Sequence, residues 1–194
     1  ASIAMLLFAS VHSVDDNGPA DYPSIVAAIA AAQPGDVILV EPGTYTAFTL
    51  TKRLTILGSP DQRPKVTGES MVTGPESLTL AGISLDRLLI DNVPGPAVID
   101  DCEIGNAPFP VGYFLGGLQC QDCDEVLISR CEISGGSESS ADAVGLAFSR
   151  AHVVDSVLGG ANGVTNFWSE GYKGGDGLRC DASFVVVSGC SMTG

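Results

Sequence analysis

Positive charge is what this sequence most lacks. Nine Lys and Arg stand against 23 Asp and Glu, which leaves −14 at pH 7. Nucleic acids and anionic membrane surfaces are bound through basic patches, so a chain this acidic suits neither. Charge of either sign is scarce, at 16% of 194 residues, and that argues against a long exposed helix or coiled coil. No apolar run approaches the roughly 18 residues of a membrane span. Apolar residues nevertheless make up 45%, enough buried surface to offset the entropy of ordering and to exclude disorder. The length fits one domain, residues 1–194.

Six cysteines are present, Cys102, Cys120, Cys123, Cys131, Cys180 and Cys190. The even number is compatible with disulfides of an oxidising compartment, and buried free thiols explain it equally well. The N-terminal run Ile3–Phe8, followed by small residues to Ser13, reads as a first strand or as the remnant of a secretion signal. Helical signals cluster once. Asp21-Tyr22-Pro23-Ser24 offers a helix start with Asp21 or Ser24 as cap, Ile25, Ala28, Ile29 and Ala32 share one face, and Pro34-Gly35 stops it. Downstream come only short strands and turns, beginning with Val37–Val40, the turn Glu41–Thr44, and Leu54–Leu57 before Gly58. Residues 1–35 are therefore expected to form a strand and a capping helix, and residues 36–194 an all-β body.

That body repeats. Ala97 to Gly105 aligns with Val126 to Gly135, with Ala151 to Gly159 and with Val185 to Gly194. Each copy is a β-branched strand, a polar corner, Cys or Ser, one variable residue and an apolar one. The corner positions 102, 131, 156 and 190 are 29, 25 and 34 residues apart. Gly117-Leu118-Gln119-Cys120 matches Gly177-Leu178-Arg179-Cys180 in a second register. Periods of this size with strand and turn content and no repeated helix indicate stacked coils, a right-handed parallel β-helix.

The stretch from Asp21 through Pro34-Gly35-Asp36, Glu41-Pro42-Gly43-Thr44-Tyr45 and Leu57-Gly58 resembles the opening of β-helix proteins of the pectin-lyase-like superfamily. The resemblance implies a helix plugging the N-terminal end of the solenoid. It implies little about activity, because that fold hosts lyases, hydrolases, epimerases and adhesins.

Candidate chemistry is spread along the coils. A glycosidase needs two carboxyl groups roughly 5–10 Å apart, and elimination from a uronate needs a cation and a base. Asp155, Arg130 and Asp176 are the candidates, but the family's Asn-Thr-Asp, Gly-His-Gly and Arg-Ile-Lys signatures are absent. The competing reading makes these acids solvated corners. Asp100, Asp101, Asp122 and Asp124 are candidate calcium ligands, since hard cations take six to eight oxygens. Cys120-x-x-Cys123 is half a zinc motif without a second pair. If 102, 131, 156 and 190 share a corner, stacked about 4.8 Å apart, Cys131 and Cys190 lie two coils apart, too far to bridge. Cys120 and Cys180 are likewise separated by the coil of Gly145. A column of buried thiols follows, with Cys102–Cys131 and Cys120–Cys123 left as the pairs near enough to bond.

Three insertions, Gly105–Phe114, Ser134–Asp142 and Gly159–Asp176, leave from the same point of the repeat and should share one side of the solenoid. They carry Phe109, Tyr113, Phe167, Trp168 and Tyr172. Such rings beside carboxylates suit sugar rings and hydroxyls, and they serve equally to pin long loops to the body. The expected role is a secreted, periplasmic or cell-surface scaffold or binding module for extended polymers, most directly polysaccharide. The rival is a lyase, hydrolase or epimerase of the same superfamily. Because no capping element follows Val185–Val187 and Cys190, either a longer chain or an end-to-end homo-oligomer is expected at that end.

Overall fold

Corners a single residue wide bend this chain into coils. The computed structural model describes residues 9–59, 62–105, 116–135, 141–160 and 176–194; the expected strand at Ile3–Phe8 lies outside them. Strand β1 (Val11–Val14) precedes helix α1 (Ile25–Ala31). Ser24 caps the helix, its extended backbone letting the hydroxyl accept the Ala27 N–H at 3.2 Å. Asp21 accepts instead from the Ser13 N–H and hydroxyl, both at 2.8 Å. Ile25, Ala28 and Ile29 face inward and cover the end of the first coil.

Asp36 ties this cap to the body. Its buried carboxylate accepts from the Ser10 N–H at 2.8 Å, the Gln33 N–H at 2.7 Å and His12 Nε2 at 3.0 Å. The His12 bond first, then the two backbone bonds, hold its carboxyl down at about 2.

The remaining strands are β2 (Val37–Val40), β3 (Thr44–Thr46), β4 (Thr49–Leu50), β5 (Thr55–Gly58), β6 (Lys65–Thr73), β7 (Leu78–Ala81) and β8 (Ser84–Asp91). They continue through β9 (Pro96–Asp100), β10 (Glu103–Ile104), β11 (Gly116–Gln121), β12 (Glu125–Ser129), β13 (Glu132–Ser134) and β14 (Asp142–Ala147). The last are β15 (Arg150–Val154), β16 (Val157–Gly159), β17 (Leu178–Asp181), β18 (Phe184–Ser188) and β19 (Ser191–Thr193). The first sheet runs β1-β2-β5-β7-β9-β12-β15-β18. The second runs β17-β14-β11-β8-β10-β13-β16-β19, with β6 beside β8 and β3 and β4 beside β6. Every pairing among the described strands is parallel. Parallel neighbours require a full circuit of chain between them, and two sheets fed alternately by one chain make a parallel β-helix, the class expected from the sequence.

The register is that of the sequence alignment. Ala97, Val126, Ala151 and Val185 form one column, and Glu103, Glu132, Val157 and Ser191 another. Leu118, Val144 and Leu178 align, with Cys120, Leu146 and Cys180 beside them. Inside, Ile38, Ile56, Leu80, Ile99, Ile128 and Val153 stack as a dry column. Each such side chain contributes about 1.5–3 kcal/mol by leaving water. Among the described residues no helix is long and apolar enough to cross a membrane.

Two corners bound the first sheet, and both use left-handed backbone. At the first, Asp101 (φ 49°), Arg130 (φ 52°), Asp155 (φ 48°) and Gly189 (φ 67°) follow β9, β12, β15 and β18. At the second, Asn92 (φ 53°), Asp122 (φ 51°), Phe148 (φ 50°) and Ala182 (φ 45°) follow β8, β11, β14 and β17. The N–H groups of Asp101, Arg130 and Asp155 reach the next coil, bonding the carbonyls of Ser129 at 3.0 Å, Val154 at 3.1 Å and Ser188 at 2.9 Å. The residue that follows is Val93 after Asn92 and Ile83 after Gly82, and Cys or Ser at the corners of the later coils. Ser156 Oγ accepts the Cys131 N–H at 3.1 Å and donates to the Val154 carbonyl at 2.8 Å. Ser149 does the same at the second corner, accepting the Cys123 N–H at 3.1 Å and donating to the Ala147 carbonyl at 2.8 Å. A small side chain with a hydrogen on sulfur or oxygen thus satisfies buried backbone that the turn removes from the ladder.

Candidate functional site

Along the first corner the charges meet one another. Arg63 pairs with Asp101 through its guanidinium and donates Nε–H to the Asp101 carbonyl at 3.1 Å. Asp100, pointing outward at the end of β9, pairs with Arg130 and accepts the Ser129 hydroxyl at 2.6 Å. These groups line an open groove of about 560 Å³ with Ser59 and Gln62. Both pairs are largely solvated, so each contributes at most about 1 kcal/mol to stability.

The sequence-derived catalytic candidates are divided by this geometry. Arg130 and Asp155 are successive residues of the first corner, because the Arg130 N–H bonds the carbonyl of Val154. Arg130 turns to Asp100, whereas Asp155 lies against Gly189, where a Cβ would stand 2.1 Å from its Oδ1. Asp176 lies two residues before β17 of the second sheet, donating its N–H to Asp142 Oδ1 at 2.9 Å. The three are not one constellation.

The calcium candidates are divided as well. Asp100 and Asp101 close β9 at the first corner, while Asp122 and Asp124 flank Cys123 at the second. Glu125 pairs with Pro96 and Ser129 with Asp100, so the two acid pairs sit at opposite ends of a strand, roughly 13–17 Å apart. Asp101 and Asp122 each take a left-handed conformation that Asp tolerates better than most residues. Among the described residues no group of three or more His, Cys, Asp or Glu converges as a metal site.

The opposite edge of the first sheet has a different character. Asp124, Glu125, Arg150, His152 and Phe184 line a second groove of about 630 Å³. Glu125, Arg150 and Phe184 are consecutive in one outward column, with His152 two residues along β15. Among the described residues neither carboxylate nor the guanidinium enters an ion pair. Phe184 is 63% exposed. Sequence reasoning missed this groove, because Glu125, Arg150 and Phe184 are brought together only by the register across three coils.

The aromatic candidates Phe109, Tyr113, Phe167, Trp168 and Tyr172 lie outside the described residues. The roots of their insertions are described. Gly105 at the first root bonds Leu85 at 3.0 Å, Gly135 at the second bonds Gly159 at 2.8 Å, and Gly160 at the third bonds Thr193 at 2.8 Å. Each insertion therefore departs between the β10-β13-β16 column and the β11-β14-β17 column. At Gly105 (φ 98°) a Cβ would stand 2.1 Å from the Ser134 carbonyl, so only glycine fits there.

All six cysteines are free, and Cys102, Cys120, Cys123 and Cys131 are buried. Burial raises Cys120 well above the ordinary thiol range.

No family model and no curated protein matches the chain. Among solved structures, one named rhamnogalacturonan lyase is 12% identical, with a TM-score of 0.35, and the match covers 91% of this chain. The chain spans 62% of the length of that structure. A likeness of this size carries nothing about activity, and the parallel β-helix stands on the strand pairing itself.

Proposed function

We propose that the protein is an extracytoplasmic, pectin-lyase-like β-helix that holds an extended polymer, polysaccharide in first place, on its outer surface. The observation that carries this reading is the groove at the second corner. There an exposed Phe184 stands beside Asp124, Glu125, Arg150 and His152, which form no ion pair among the described residues. An aromatic face stacks on the apolar face of a sugar ring, and carboxylates and a guanidinium bond its hydroxyls from the sides. The coils repeat along one axis, so an extended polymer can lie along them. The aromatic residues of the insertions, Trp168 above all, are further candidates for contact with the same polymer.

The test is calorimetric titration with neutral and acidic polysaccharides, paired with an assay for new reducing or unsaturated ends. Binding without turnover is expected. Phe184→Ala should weaken it about fivefold or more, the equivalent of roughly 1 kcal/mol of stacking. Unchanged affinity in that variant removes the groove from the binding surface. Trp168→Ala in the same titration measures the loop. Turnover abolished by Asp155→Ala or Arg130→Ala would replace the binding module with an enzyme of the superfamily.

A further inference from the structure

Of the six thiols, two occupy consecutive positions of one corner. Cys102 and Cys131 each follow a left-handed residue, Asp101 and Arg130, and the strands on both sides of them pair in register, Asp100 with Ser129 and Glu103 with Glu132. The Glu132 N–H donates to the Cys102 carbonyl at 2.9 Å, so the two backbones are in direct contact. Neighbouring strands lie about 4.8 Å apart, inside the roughly 4.4–6.8 Å over which Cα atoms of a disulfide are found. The side chains are also turned together. Cys102 Sγ lies 3.3 Å from the Asp100 carbonyl and Cys131 Sγ 3.5 Å from the adjacent Ile99 carbonyl, so both thiols lie against neighbouring carbonyls of β9.

The other cysteines lack such a neighbour along the axis. Ser156 stands between Cys131 and Cys190, and Leu146 between Cys120 and Cys180. Ser149 is the next-coil neighbour of Cys123.

We propose that Cys102 and Cys131 are an oxidative cross-linking site that a low-molecular-weight disulfide converts to an inter-coil disulfide. The Cys131 thiol loses its proton and its sulfur attacks one sulfur of the small disulfide. That S–S bond breaks, and the departing thiolate takes the proton. Cys102 then loses its proton, its sulfur attacks Cys131 Sγ, and the second small thiolate leaves with that proton. Two protein thiols are oxidised by two electrons and one small disulfide is reduced to two thiols. Cys131 suits the first step, because the neighbouring Cys102 thiol holds it below the ordinary thiol range, and since both thiols are buried the exchange proceeds when this corner opens locally. The resulting link closes one whole coil and restrains the unfolded chain. None of this depends on the polysaccharide reading.

The folded chain is incubated with oxidised glutathione without denaturant, alkylated, and mapped by peptide mass spectrometry. A Cys102–Cys131 link is expected, with a melting temperature higher by about 5 °C or more. Cys131→Ser and Cys102→Ser should each abolish both effects, and Cys190→Ser neither. Serine is a sound replacement because Ser156 occupies the same position one coil on. Absence of the link, its formation only in denaturant, or a Cys120–Cys123 link in its place overturns the proposal. So does a rise in melting temperature that survives in Cys102→Ser.

Discussion

The two edges of the first sheet are bent by the same backbone and furnished with opposite chemistry. Along the first corner Arg63, Asp101, Asp100 and Arg130 satisfy one another. Along the second, Asp124, Glu125, Arg150 and His152 surround a groove with no ion pair among them. A left-handed corner asks only for a tolerated φ and an inward residue after it, Ile83 or Val93 as well as Cys or Ser. It leaves the outward side chains free, so one edge can carry paired charges and the other unpaired ones. That freedom extends to Phe148 and Ala182, which hold left-handed backbone at the second corner without the usual short polar side chain.

The contrast is sharpest if neither edge governs acid sensitivity, and the largest effect is expected at the N-terminal cap. Asp36 titrates at about 2 in the fold against an ordinary 3.8. Its carboxylate therefore stabilises fully above pH 4, and the contribution is lost as pH falls through 2. Asp36→Ala, which removes three hydrogen bonds to a buried carboxylate, should cost on the order of 3 kcal/mol in urea denaturation at pH 7. Asp36→Asn should flatten the fall in stability between pH 4 and pH 2.

The next effect tests whether the corners share one backbone logic. Ser156→Ala and Ser149→Ala each strand a buried N–H, of Cys131 and Cys123, and should each cost about 1–3 kcal/mol. If only one variant is destabilised, the equivalence is broken. Backbone strain gives changes of opposite sign and smaller size. Phe148→Gly should stabilise by about 0.5–1 kcal/mol, and Asp101→Val should destabilise by about 1–2 kcal/mol. Both are read from the urea midpoint. Smallest are the charges themselves. Asp100→Asn should cost no more than about 1 kcal/mol and less in high salt, while Glu125→Gln should leave stability within about 0.5 kcal/mol.

The repeat was legible because inward residues are constrained at every coil. Ala97, Val126, Ala151 and Val185 can be aligned by eye, and the pairing follows that alignment. The second corner was not legible. Asn92, Asp122, Phe148 and Ala182 share a conformation but no chemistry, so no pattern of residue types marks them. The candidate acids were visible as residues and misleading as a group. Asp100 and Asp124 are 24 positions apart in sequence, yet the coil sets them at opposite ends of a sheet. Conversely, Glu125, Arg150 and Phe184 are strangers in sequence and neighbours in one column.

The inward serines and cysteines also give the solenoid a direction. Ser149 Oγ reaches back to accept the N–H of Cys123, Ser156 that of Cys131, and Ser183 that of Ser149. The cysteines reach back too, Cys123 towards the Ile90 carbonyl and Cys131 towards that of Ile99. A coil is thus completed by its successor, much as a course of masonry is locked by the one laid on it. Chain emerging from N- to C-terminus adds courses in the order that locks them. Unravelling from the C-terminal side bares the turn amides of one coil at a time, so mechanical pulling from that side should yield in coil-sized steps.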